Sequence, residues 1–484
     1  LVTRGRSRKW LLAGAVVAGL GGAAPAQGYV NWPGYLLGPD HTSVNTAATA
    51  ITAAHAPLIQ AAWSKAFNPG GGIVSSPTVY NGSVYIGGLN GFLYRLSEST
   101  GAVLGSINVG GQHSCTAGVA STVTVAPDPS RNGAATLYVS AGNPSSFGGT
   151  WLWALDAQTL QPVWSVDPVL VDGSNSFAWS SPTISAGQIS VGISSDCEPP
   201  LARGGLAIFK QSDGSPVGTY YSVPPGSLGG TIWSSAAASG TTEWVTTGNA
   251  DETPGAIAGD SFSIVRLNGA TKVDSWTVPN LNGTDSDFGA SPVLFGGFVN
   301  GAYTSLVGAC NKNGIFYALP SGSLSSGPAW TFRIGGDDAS EPTPCLSAAA
   351  WDATDRQLVI GGNHTSTAID GVQWGGSIRA LSPDDHPAHR VLWEMGLPCP
   401  VLGTPAENGL GVVAVATWGD GCMSGSSPTL YLLNARSLNG NPLGNPNPKV
   451  LKTITLSSGA FSQPTFADGY LFVATMNNGL MAYH

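Results

Sequence analysis

At 484 residues the chain is longer than one ordinary domain, so internal repetition is the first property to test. Charged residues make up 10%, glycines number 67 and tryptophans 15, a composition suited to short strands and tight turns and not to helices. A hydrophobic share of 42% excludes a disordered chain, and a net charge of −9 with no Lys/Arg cluster beyond the first residues excludes nucleic acid as the partner.

In chain order, Arg4, Arg6, Arg8 and Lys9 precede an apolar run over residues 10–22 and a small-residue site, Ala24-Pro25-Ala26. Residues 1–26 are therefore predicted to be a signal peptide of the general secretory route, since no twin-arginine pair is present. The apolar run falls short of the roughly 20 residues a membrane span needs, so the mature chain is expected to have none. Cleavage removes four basic residues and no acidic one, which takes the net charge from −9 to −13. The rest, residues 27–484, is predicted to be one domain, with alanine-rich residues 45–62 as a short helix leading into a strand around Trp63.

The clearest repeat unit spans residues 74–109. Ser75-Ser76-Pro77-Thr78-Val79-Tyr80 reads as an inner strand, Asn81-Gly82 as a hairpin turn, residues 83–87 as the next strand, and Asn90-Gly91 as the next turn. Strand and tight turn then alternate through Thr100-Gly101 into a fourth strand. Ser181-Pro182, Ser291-Pro292, Thr404-Pro405 and Gln463-Pro464 repeat the opening, with Ser235-Ala236 and Ser347-Ala348 in the same slots, about every 55 residues. A unit over residues 122–166 fills the remaining gap, and Trp164, Trp276, Trp330 and Trp393 mark outer strands. The last unit, residues 461–483, has only three strands, so the strand at Trp63 is expected to complete it. The predicted fold is all-β: an eight-bladed propeller of four-stranded antiparallel blades, closed by pairing of N- and C-terminal strands.

Six cysteines in an exported chain point to disulfides. Cys115, Cys345 and Cys399 begin inner strands while Cys197, Cys310 and Cys422 follow second strands, which puts all six on one face. Of about 15 possible pairings, Cys310–Cys345 and Cys399–Cys422 are expected, leaving Cys115 with Cys197. No CxxC or CxxCH occurs, so neither a zinc ribbon nor a c-type haem is expected, and GxSxG, HExxH and P-loop signatures are absent.

Ala154-Leu155-Asp156-Ala157-Gln158-Thr159 with Trp164 resembles the tryptophan-docking repeat of the quinoprotein dehydrogenases. Local segments also resemble, in order, the cofactor-binding parts of the PQQ-dependent alcohol dehydrogenases. Glu198, shortly before Arg203-Gly204, resembles a calcium-binding Glu. Trp233, in Gly229-Gly230-Thr231-Ile232-Trp233, resembles the indole beneath the quinone. Asn249, in Thr247-Gly248-Asn249, resembles a metal-ligating Asn. Asp285-Ser286-Asp287-Phe288 resembles the segment with the catalytic Asp, a role for which Asp287 is favoured over Asp285 because the aromatic follows it directly. Lys312, in Asn311-Lys312-Asn313-Gly314, resembles a Lys that contacts the quinone oxygens.

The resemblance implies bound PQQ and Ca2+, with Glu198, Asn249 and Asp287 around the metal and Trp233 and Lys312 on the cofactor. It implies oxidation of an alcohol-bearing small molecule or polymer, with electrons passed to a separate acceptor. Two features depart from it: there is no adjacent cysteine pair, and Ser286 stands where the family has Trp. The run from Asp285 through Phe288 to Pro292 is nearer the secreted polyvinyl-alcohol dehydrogenase-like propellers. The alternative is a non-catalytic propeller serving as an extracytoplasmic protein- or glycan-binding scaffold.

Overall fold

Asn81 and Gly82 take φ of 47° and 75°, the positive values of a type I′ turn, whose twist matches that of the two strands it joins. Asn300-Gly301 and Asp468-Gly469 repeat this geometry at the equivalent corner of later blades. The computed structural model describes residues 28–111, 115, 118–145, 149–167, 176–177, 179–198, 200–281, 285–336, 345–441 and 444–484, and the expected signal peptide lies outside them. These residues form eight sheets, the eight-bladed propeller expected, antiparallel but for Val44–Asn45, which pairs in parallel with Ala406–Asn408 of blade 7. Blade 1 contains Thr78–Tyr80, Ser83–Gly87, Phe92–Ser97 and Val103–Asn108, in that order from the channel outward.

The Ser-Pro-Thr opening has a physical reason. Around the channel, the backbone N–H at the first position donates to the hydroxyl at the same position of the next blade. Ser76 donates to Thr122, Thr122 to Ser181, Ser181 to Ser235 and Ser235 to Ser291, each at 2.9 Å. Gln463 N–H returns to Ser76 Oγ at 3.0 Å. Two residues on, Thr78, Thr124, Thr183 and Thr465 donate their hydroxyls to a carbonyl of the neighbouring blade at 2.6–3.0 Å. Each blade thus satisfies buried polar groups of the next. Blade 6 corrects the predicted register by one residue. Ala348 N–H meets Thr404 Oγ1 at 3.2 Å, so Ala348 holds the slot assigned to Ser347. Ser347 Oγ instead accepts from Gly361 N–H at 3.3 Å, as Ser75 Oγ does from Gly87.

Ring closure follows the expected partners with less regularity. Ala61 pairs with Tyr483 and Phe67 with Leu480 as isolated antiparallel bridges beside the three-stranded last sheet. The helix predicted over residues 45–62 is one 3-10 turn, Ala56–Leu58, since most of that stretch packs irregularly against blades 1, 7 and 8. All three expected disulfides are present: Cys115–Cys197, Cys310–Cys345 and Cys399–Cys422.

One element had no sequence signal. Residues 30–43 form an arm that crosses the channel and bonds through its backbone to almost every blade. Trp32 exchanges two bonds with Val79 at 2.9 Å. Pro33 O, Pro39 O, Asp40 O, Thr42 O and Ser43 O then accept from Val125, Ala238, Leu294, Trp351 and Glu407 at 2.6–3.1 Å. Leu36, Leu37, His41 and Ser43 have φ between 51° and 79°, a left-handed backbone that surrounding contacts must enforce. Trp32 and Leu36 are fully buried.

The arm meets the closing blade at a buried pair of carboxyls. Asp468 accepts from Val30 N–H, while Glu98 O accepts from Trp63 Nε1–H at 2.8 Å. Burial and the adjacent Asp468 charge push the Glu98 carboxyl from the ordinary 4.5 up to about 8. Between those values the folded state holds a proton that the unfolded chain has released, so stability falls as pH rises through that window. We expect the melting temperature to decline from pH 5 to pH 8, and Glu98→Gln to flatten the decline. An unchanged slope in the variant would assign it to other groups.

Candidate functional site

Inner strands start at the edge of the ring opposite the arm, and second strands return to that edge. Residues just before an inner strand or just after a second strand therefore meet there. Trp233 and Asp287 precede the inner strands Ala237–Ser239 and Val293–Val299. Glu198, Asn249 and Lys312 follow the second strands Gln188–Ser195, Thr242–Thr246 and Ala302–Cys310. All five residues singled out in the sequence come to this one edge, over blades 3 to 5.

Backbone bonds fix the segment in place. Lys312 N–H donates to Asp287 O at 3.0 Å, Asn311 Nδ2 to Ser286 O at 2.8 Å, and Phe288 N–H to Thr247 O at 3.3 Å. The side chains then interlock. Trp233 Nε1–H donates to Asp287 Oδ2 at 3.0 Å. Lys312 Nζ lies 2.7 Å from Asp287 Oδ1 and 2.6 Å from Asp285 Oδ1, and 5.2 Å from the centre of the Trp233 ring, within cation–π reach. Asn249 Nδ2 donates to Asp285 Oδ1 at 2.9 Å, and the Glu198 carboxylate interacts with Asp287, Lys312, Asp285 and Asn249.

Burial grades these groups. The Asp287 side chain is 2% exposed and Lys312 10%, whereas Asp285 is 60% exposed at the mouth. Burial pushes the Asp287 carboxyl up despite the opposing pull of Lys312. For Asp285 the same burial effect is outweighed by Lys312 and Asn249, and its carboxyl is held below the usual range. Burial would lower Lys312, but Asp287 and Asp285 more than reverse it and keep the ammonium charged. Partial burial and the Asp287 charge raise Glu198.

The residues fit a hard cation on two counts. Oxygen ligands are available on Glu198, Asn249 and Asp287, the donor set hard divalent ions take. Among the described residues, Asn249 Oδ1 is buried without a hydrogen-bond donor, while Asp287 Oδ1 faces the Lys312 ammonium at 2.7 Å. Beside them opens a cavity of about 760 Å³ lined by Glu198, Leu201, Leu228, Asn249 and Asp285, whereas Trp233 lines a separate cavity with Trp179 and Leu346. The recurrent Gly-Asn pairs behave differently: Asn143 Oδ1 caps Ser145 N–H in a turn, and among the described residues both amide atoms of Asn363 are buried without partners.

Sequence reading missed Gly289. A Cβ there would stand 2.5 Å from Cζ2 and Cη2 of Trp233 and 2.3 Å from Leu346 Cδ2, so the indole extends from blade 4 over the start of blade 5. Trp179, at the equivalent position of blade 3, instead packs edge-on against Phe177 with centroids 4.9 Å apart. We expect Gly289→Val to tilt the indole, costing about 1–3 kcal/mol of stability through overpacking. Urea titration followed by tryptophan fluorescence checks this; an unchanged midpoint with unchanged emission would mean that the indole does not rest on Gly289.

No protein-family model matches the chain, and no curated protein matches it. Solved structures do. The quinohemoprotein alcohol dehydrogenase from Comamonas testosteroni superposes with a TM-score of 0.69 at 16% identity, over 94% of this chain and 80% of that one. A europium-containing methanol dehydrogenase gives 0.68 at 15%, over 92% and 89%. BamB from Moraxella catarrhalis gives 0.50 at 13%, over 88% and 97%. At such identities the likeness establishes a shared propeller fold and leaves the chemistry to the site.

Proposed function

We propose that this chain is an exported oxidoreductase that oxidises alcohol groups with bound PQQ and a calcium ion, passing electrons to a separate acceptor. The observation that carries the reading is the buried Asp287–Lys312 pair held against the Trp233 indole, with Asn249 and Glu198 beside it. Trp233 offers the flat apolar face that a tricyclic quinone requires. Lys312 keeps a positive charge where an anionic cofactor needs one, and Glu198, Asn249 and Asp287 hold the cation. PQQ, when bound, supplies the two-electron acceptor. Asp287 takes the substrate hydroxyl proton on its carboxylate, and burial suits it to that task by raising its basicity. The three disulfides fit an oxidising compartment, reached through the signal peptide over residues 1–26.

A scaffold reading draws on the absent adjacent cysteine pair. It leaves the interior Lys–Asp pair unexplained, since breaking even would require no such charges in the fold. Purified apo-protein titrated with PQQ and calcium decides between them. One quinone per chain with dye-linked oxidation of small or polymeric alcohols is expected. Absence of uptake leaves only the scaffold.

A further inference from the structure

We infer that Asp285, the less favoured of the two aspartates for the catalytic role, is a positioning residue that decides which atom of Asn249 is turned toward the cation. The inference rests on the cofactor site proposed above. A carboxylate oxygen only accepts hydrogen bonds, so the Asn249 atom 2.9 Å from Asp285 Oδ1 has to be the NH2 nitrogen. The amide is planar, and its carbonyl oxygen is thereby turned the other way, into a buried place where no donor meets it. If the amide turned over, two acceptors would face each other across 2.9 Å, a repulsive contact in a half-buried setting. The same Asp285 oxygen receives Lys312 Nζ at 2.6 Å, so one atom holds a candidate metal ligand and the site's cation together, with Glu198 as a further partner of the Asn249 amide and Asp287 of the ammonium.

The other explanation is plain charge. Asp285 is 60% exposed and shares the mouth with Glu252, which is exposed and touches neither Asn249 nor Lys312 by any hydrogen bond or ion pair described. A carboxylate acting only through its field would be interchangeable with Glu252 and screened by salt.

The test measures calcium alone by calorimetry, without quinone or substrate. Asp285→Asn is expected to weaken calcium binding by about 10–100-fold, as removal of a ligand's orienting partner does. Asp285→Glu should restore most of it, and Glu252→Gln should cost less than about threefold. The Asn249 side-chain NH2 signals, assigned by their loss in Asn249→Asp, should shift in Asp285→Asn while the melting temperature stays within a few degrees. Equal losses in Asp285→Asn and Glu252→Gln, or NH2 signals that do not move, would overturn the positioning role. Native protein that takes up no calcium while those signals still move would instead sink the cofactor reading, and the ligand role with it.

Discussion

Asp287→Asn is expected to lower kcat for PQQ-dependent alcohol oxidation by about 10²–10⁴-fold, the range a positioned general base contributes. The substitution keeps shape, and its amide oxygen still accepts from Trp233 Nε1, now 3.0 Å from Oδ2. What disappears is the group that takes the proton, together with one of the two anions facing Lys312, which retains Asp285. The pH dependence has a definite sign. A base works only when ionised, and burial holds Asp287 above the ordinary carboxylate value of 3.8. In the free enzyme kcat/KM should rise with pH through that elevated value and then level off, and the residual activity of Asp287→Asn should lack this limb. Steady-state rates with an artificial dye acceptor between pH 4 and pH 8 report both effects. A variant within tenfold of native activity would remove Asp287 from the chemistry.

Removing residues 28–45 is expected to abolish cooperative folding, because the arm is the inner lining of the ring at one end. Its backbone supplies acceptors to the inner strands of blades 2, 4, 5, 6 and 7, at Val125, Ala238, Leu294, Trp351 and Glu407, besides the paired Trp32–Val79 bonds. Each inner strand that loses its partner exposes or strands a backbone N–H. A single substitution isolates the apolar part: Trp32 has no exposed surface, so Trp32→Ala should cost about 3–5 kcal/mol. Urea titration followed by circular dichroism measures this directly. A shift of less than about 1 kcal/mol would mean the arm lies on the ring without supporting it.

Blade number was legible because the hydroxyls at Ser76, Thr122, Ser181, Ser235 and Ser291 each serve a neighbouring blade, which puts a hydroxyl in the same slot of blades 1 to 5. In blade 6 both Ser347 and Ala348 are small, and only the bond from Ala348 to Thr404 reveals the register. The arm was invisible for a different reason: it pairs through carbonyls, and its side chains have no period. The five site residues were found through local resemblance, and the ring brings them to one edge as the strand order requires. Asp285 and Asp287 are one residue type two positions apart, so only burial and partners separate an exposed orienting group from an interior one. Gly289 was missed because its value lies in a side chain it lacks, read only against the Trp233 ring.

Crystals grown with PQQ and calcium test the shared pocket most directly. Density for one tricyclic quinone against the Trp233 indole, with a cation between Glu198 and Asn249, is the expected result. Saturating quinone and metal with an empty mouth, or a quinone bound away from Trp233 and Lys312, would contradict a redox role for this edge of the ring.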